Sequence, residues 1–120
     1  DDFSAMQIES AEDLRDLFIP NFYFGCEADD SLAFMAFNRK AYPTRAQVRA
    51  IMSFDLGHWD VNDMNGAAAE AYEQLEDGLI DETDFRTFAF SNSVQLYAGL
   101  NPDFFKGTRV EAQAQVELRL

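Results

Sequence analysis

Apolar and polar positions alternate along this chain in two different rhythms, and the switches between them lay out its elements. Ser10 with Asp13 three residues on is a capping signal for a short helix bearing Ala11, Leu14 and Phe18, which Pro20 stops. Phe22-Tyr23-Phe24-Gly25-Cys26-Glu27 is an aromatic strand signal closed by the acidic turn Ala28-Asp29-Asp30. Between Ser31 and Lys40, Leu32, Met35 and Ala36 share one helical face and Phe34 and Phe37 another, which predicts a helix packed on two sides before Pro43. Thr44 with Gln47 could cap a single turn, and Arg49 to Phe54 reads as a second strand, about 22 residues after the first. A crossover of that length predicts parallel strands, because a hairpin needs no such excursion.

The second half reads as helical. Asp60 can cap a helix whose apolar positions Met64, Ala68, Ala71, Tyr72, Leu75 and Leu79 recur every three or four residues, with Gly78 placed to end it. Asp81 with Asp84 opens the next, whose stripe of Phe85, Phe88, Ala89 and Leu96 is interrupted by Asn92 and runs to about Gly99. The tail from Asn101 alternates weakly and reads as an edge strand or an extended arm. The order describes an α/β layout, strands about 22–27 and 49–55, closing helices about 62–99 and a tail over 100–120. Two parallel strands normally need both faces covered and neighbours on both edges, so the pattern predicts a part of something larger.

Composition removes some partners. Nine basic against 22 acidic residues give a formal charge of −13, which repels nucleic-acid phosphates and anionic lipid headgroups. The longest apolar run falls far short of the roughly 20 residues that span a bilayer. Neither nucleic acid nor membrane is an expected partner. The opening Asp1-Asp2-Phe3 lacks methionine and any basic-then-apolar leader, which fits a processed product or a piece of a longer polypeptide. A lone cysteine, Cys26, asks for no oxidising compartment, so a cytoplasmic location is expected, and its alternation with Phe22 and Phe24 makes it a small buried hydrophobe, not a nucleophile.

The candidate chemistry sits where the second strand ends. The only histidine and the only tryptophan, His58 and Trp59, follow Asp55 in the run Ser53-Phe54-Asp55-Leu56-Gly57-His58-Trp59-Asp60, so a strand delivers a carboxylate, a glycine turn and two rings to one place. For each there is a plainer role: a turn carboxylate for Asp55, a backbone-bonded donor for His58, and burial for Trp59, large aromatics serving packing first. Glu27 and Asp29 end the first strand, Glu27 directly after it. The run from Glu73 to Asp84 superficially fits part of a calcium-binding loop, but Leu75 would stand at a ligand position where it can donate no oxygen.

Taken in order, Gly25 to Asp30, Ser53 to Val61, Glu76-Asp77-Gly78-Leu79-Ile80-Asp81-Glu82-Thr83-Asp84-Phe85-Arg86 and Asn101-Pro102-Asp103-Phe104-Phe105-Lys106-Gly107-Thr108 resemble the C-terminal part of the amidohydrolase-related family. These are metal-dependent TIM-barrel hydrolases and decarboxylases of the aminocarboxymuconate-semialdehyde decarboxylase type. The resemblance covers roughly residues 10 to 109 and implies that the chain is the last part of a (β/α)8 barrel, a fold of about 250 residues, with the seventh strand at Phe22–Cys26 and the eighth at Arg49–Phe54. It implies Asp55 as metal ligand and proton carrier and a divalent ion, zinc foremost, as cofactor, with Glu27 where a barrel presents side chains to its active face; beside them His58 is the candidate catalytic companion and Glu27 and Trp59 the candidate substrate-binding groups. Position 54 departs from the pattern, which has a small or polar residue before the aspartate. The family's other ligands, a His-x-His pair among them, are absent from these 120 residues, so the chain alone is expected neither to hold zinc tightly nor to turn over. The expected partners are a small organic substrate and the remainder of the barrel or a second copy. The competing reading is a small acidic protein-interaction module.

Overall fold

The computed structural model describes residues 2–42, 44–61 and 63–119. Two short strands, β1 (Phe24–Glu27) and β2 (Ala50–Ser53), pair in parallel with Phe24 opposite Ala50 and Glu27 opposite Ser53. They are shorter than the apolar runs that announced them. Ahead of β1, helix α1 (Ala11–Phe18) carries the expected reciprocal cap: Asp13 N–H donates to the Ser10 hydroxyl and Ser10 N–H to the Asp13 carboxylate. No residue of α1 is buried, and Phe18 stacks on Phe22 and Phe24 at 4.6 and 6.0 Å in an exposed aromatic patch.

The segment predicted as a two-sided helix over 31–40 is one 3-10 turn, Ala33–Phe37. Its three buried residues, Ala33, Ala36 and Phe37, enter the core while Leu32 and Met35 stay exposed, so the face of Leu32, Met35 and Ala36 is covered only at Ala36. Residues 44 to 49 form no helical turn, and Gln47 accepts a hydrogen bond from Arg39 instead of closing a cap; Pro43 lies outside the described residues.

Helix α2 (Ala67–Glu76) starts later than the periodicity predicted and turns a different face inward. Ala67, Ala71 and Gln74 are buried, whereas Met64, Ala68, Tyr72 and Leu79 face solvent. Small residues against the sheet allow close approach, and the larger apolar stripe is left on the outside. The helix ends where expected, with Gly78 at φ +69°, a conformation costly for any residue with a Cβ. Asp81 then caps α3 (Glu82–Arg86) by accepting from Asp84 N–H at 2.8 Å.

A π-turn over Thr87–Ser91 joins α3 directly to α4 (Asn92–Leu100). The extra residue in that turn rotates the inward face. Phe88, Ser91 and Asn92 are buried as a group, but after them Val94 and Ala98 go inside and Leu96 is only half-buried, so the expected stripe ending at Leu96 is not the one used. Asn92 is no defect in that face: its side-chain amide donates to the Ala50 carbonyl at 2.8 Å, tying α4 to β2. The Ala50 N–H is also engaged, by the Val48 carbonyl at 3.0 Å.

The C-terminal segment corrects the expectation of a strand or extended arm. It forms helix α5 (Glu111–Glu117), with Ala114 buried on Val94 and Ala98 of α4 and with Arg86 paired to Glu117 at 2.8 Å. Alanine, glutamine and glutamate are good helix formers, and Ala114 meets Ala98 where two small side chains let the helices touch. The main core lies between the sheet, the 3-10 turn, α2 and the π-turn, centred on Phe88, whose ring meets Phe37 edge-on at 6.1 Å.

Candidate metal centre

The strands run so that their C-terminal ends open on one side. Ser53, last in β2, fastens the two ends together by donating its hydroxyl to the Cys26 carbonyl at 3.1 Å. Cys26 itself is half-buried, and burial pushes its thiol pKa up, which suits an inert side chain. Beyond Ser53 the chain must reverse. Asp55 adopts φ +43° and Gly57 φ +95°, and His58 N–H closes the turn on the Asp55 carbonyl at 3.1 Å. Aspartate tolerates the left-handed region better than most residues, and Gly57 occupies it without cost.

This reversal folds His58 back over Asp55. The His58 Nδ1 stands 3.4 Å from an Asp55 carboxylate oxygen, and it also pairs with the Asp60 carboxylate. Donor atoms of Asp55, His58 and Asp60 all lie within 4.8 Å of one another, and all three residues are exposed. Two ligands of a tetrahedral ion at about 2.1 Å are about 3.4 Å apart, so the His58–Asp55 separation is a coordination spacing. The Asp60 carboxylate, by accepting a hydrogen bond and by its charge, raises the His58 pKa, with Asp55 adding to the effect, and the same bond lowers that of Asp60. A histidine so placed holds its proton more firmly than usual, and a cation binding at Nδ1 must displace that proton.

Beside the triad a cleft of about 330 Å³ lies between the strand ends. Glu27 lines it from the end of β1 and Asp29 from the turn after it, Asp55 and Asp60 from the turn after β2, Asp63 from the approach to α2 and Glu70 from its first turn, with Phe54 and Ala67 among the apolar wall residues. Six carboxylates around one cleft make a strongly cation-attracting field. Glu27 therefore shares the cleft with Asp55. Trp59 does not serve packing: it is 84% exposed, its ring 6.1 Å from that of His58.

Sequence reading alone missed Asp60 as a partner of His58, having taken it for a helix cap, and did not single out Asp63 or Glu70. A signal for Asp60 was present, since residues two apart across a tight turn bring their side chains to one side. For Glu70 there was none, because only the docking of α2 turns its first turn toward the strand ends. Comparison with protein-family models, with curated proteins and with solved structures finds no match to this chain. Among the described residues no helix is long and apolar enough to cross a membrane.

Proposed function

We propose that this chain is the C-terminal part of a (β/α)8 barrel enzyme of the metal-dependent amidohydrolase type, hydrolysing or nonoxidatively decarboxylating a small organic substrate. The observation that carries the reading is the convergence of Asp55, His58 and Asp60 at the C-terminal end of β2, beside a carboxylate-lined cleft. That is the end of a barrel at which catalytic groups collect. Two carboxylates and an imidazole at coordination spacing fit a divalent ion such as zinc, with room for ligands from elsewhere. When bound, such an ion supplies Lewis acidity and brings the pKa of a coordinated water to about 7. Asp55 would hold the ion and accept or return a proton at its free oxygen. His58 would release its Nδ1 proton on meeting the ion and donate a hydrogen bond from its other ring nitrogen to a developing negative charge, and Glu27 and the exposed Trp59 would meet the substrate.

The surface supports incompleteness. A monomer of 13.6 kDa is expected to expose about 6,600 Å², whereas this chain exposes 8490 Å². Its radius of gyration is 16.4 Å against about 14 Å for a compact domain of this length. The excess of about 1,900 Å² on one side of a contact is the scale of an obligate interface, and exposed apolar side chains that could fill one include Phe22 ahead of β1, Phe24 within it and Tyr72 on α2. A second reading, an acidic interaction module, is favoured by one observation: Asn92 and Val48 satisfy both backbone groups of Ala50 within the chain, leaving less of that edge for another strand.

Titration of the chain with Zn²⁺ and Mn²⁺ tests the metal centre. One equivalent should bind, weakly because the remaining ligands are absent from this chain, and Asp55→Asn or Asp60→Asn should weaken it at least about tenfold further, the loss of one charged ligand. Equal binding by the parent and both variants would overturn the site. The barrel is tested separately by the coding sequence upstream: with no His-x-His after an apolar strand within about 250 residues, that part of the reading fails. A cooperatively melting monomer that binds no metal would favour the interaction module.

A further inference from the structure

The formal charge of −13 averages over two ends of the molecule that differ sharply. Opposite the carboxylate cleft, at the N-terminal ends of the strands, a groove of about 460 Å³ is lined by Arg15, Arg39, Arg45 and Arg49. These are four of the nine basic residues in the chain. Asp16 is the one carboxylate among the described residues that line it, so four guanidiniums against one carboxylate leave a lining charge of +3.

How those guanidiniums are held argues for a ligand. Arg49 sits over the Tyr23 ring, 5.0 Å from its centroid, and donates to the Pro20 carbonyl at 3.2 Å and the Tyr23 hydroxyl at 2.8 Å. Arg39 donates to the Gln47 side chain, with Asp84 only at 3.9 Å. Arg49 is held by neutral acceptors alone, which fix it without cancelling its charge, and Arg39 has its carboxylate only at the outer limit of an ion pair. Arg45 is exposed on a turn with φ +57° and makes no ion pair among the described residues. Only Arg15 has a carboxylate at hydrogen-bond distance, Asp16 at 2.6 Å. A network built for stability would pair all its charges; here Arg45 and Arg49 have no carboxylate partner among the described residues, and arginines left so around a concave surface are the arrangement that binds oxyanions by forked hydrogen bonds. The volume falls in the range of small-molecule sites.

We propose that this groove binds a compact polyanion of about three negative charges, the size of a diphosphate or a small tricarboxylate. The site lies at the other end of the strands from Asp55 and stands whether or not the metal centre does.

Isothermal titration of the chain in metal-free, low-salt buffer with pyrophosphate, and separately with citrate, decides the matter. One equivalent of at least one anion should bind, weakened about tenfold by Arg45→Glu or Arg15→Glu and by a rise from about 0.02 to 0.2 M salt. Arg109→Glu, away from the groove, should bind as the parent does. Tighter pyrophosphate assigns the phosphate class and tighter citrate the carboxylate class. Parent-like melting of Arg45→Glu, whose side chain is exposed, separates lost binding from lost fold; should Arg15→Glu unfold, Arg45→Glu alone decides. Absence of saturable binding by both anions, or equal weakening by Arg109→Glu, would overturn the proposal.

Discussion

The Asn92–Ala50 hydrogen bond offers the sharpest test of how this fold is held. Asn92 is 4% exposed and Ala50 fully buried, so neither group has water as an alternative partner. Replacing Asn92 by alanine removes the donor and leaves the Ala50 carbonyl facing a small void. An orphaned buried acceptor costs about 1–3 kcal/mol, and the few atoms lost from the interior add to it, so about 2 kcal/mol is expected. For a chain of this length that is a fall of about 8 °C in melting temperature. Asn92→Asp keeps the shape but points a carboxylate at a carbonyl, and it should cost more than the alanine, about 3 kcal/mol or above. Urea denaturation followed by circular dichroism at pH 7 measures both. If Asn92→Ala lies within about 0.5 kcal/mol of the parent, or if Asp is tolerated better than Ala, the bond is not holding α4 to β2 and the reasoning fails.

Two further outcomes follow from burial and charge. The Ser91 hydroxyl and Arg86 hold the Glu117 pKa below its ordinary value of 4.5, so the carboxylate stabilises the docked α5 fully above that value and loses its contribution as pH falls through the lower folded one. Glu117→Gln should therefore be less stable than the parent at pH 7 by about 1 kcal/mol, a figure reduced by the 56% exposure of the Arg86 side chain, and pH-dependent melting should show the gap closing in acid; a gap independent of pH would refute it. Trp59→Ala should shift stability by less than about 0.5 kcal/mol while Phe88→Ala costs about 3–5, in the same urea assay; a large effect at Trp59 would mean that its ring is covered in solution.

Local chemistry was legible where a few adjacent residues decide it. The Ser10–Asp13 and Asp81–Asp84 caps, the Gly78 stop and the parallel sense of the strands all stand as the spacing predicted. What failed was the choice of face. Periodicity names the apolar stripe of a helix but not the partner that will cover it: α2 buries its alanines and exposes Tyr72, and one extra residue in the π-turn redirects α4 from Leu96 to Val94 and Ala98. The tail read as extended because its alternation is weak, yet its helix formers and Ala114 needed only the small face of α4 to become α5.

The same division holds at the two ends of the sheet. Sequence alone placed Asp55, His58 and Trp59 after a strand, because a strand, a glycine and a turn are consecutive, and it fixed the overall acidity. Tertiary structure decided that Asp60 pairs with His58 and that the acids of β1 and the start of α2 share the Asp55 cleft. It also gathered four arginines, from positions 15 to 49, around one groove. Net charge is a sum and survives any folding, whereas an electric field depends on distance, and only the fold sets distances.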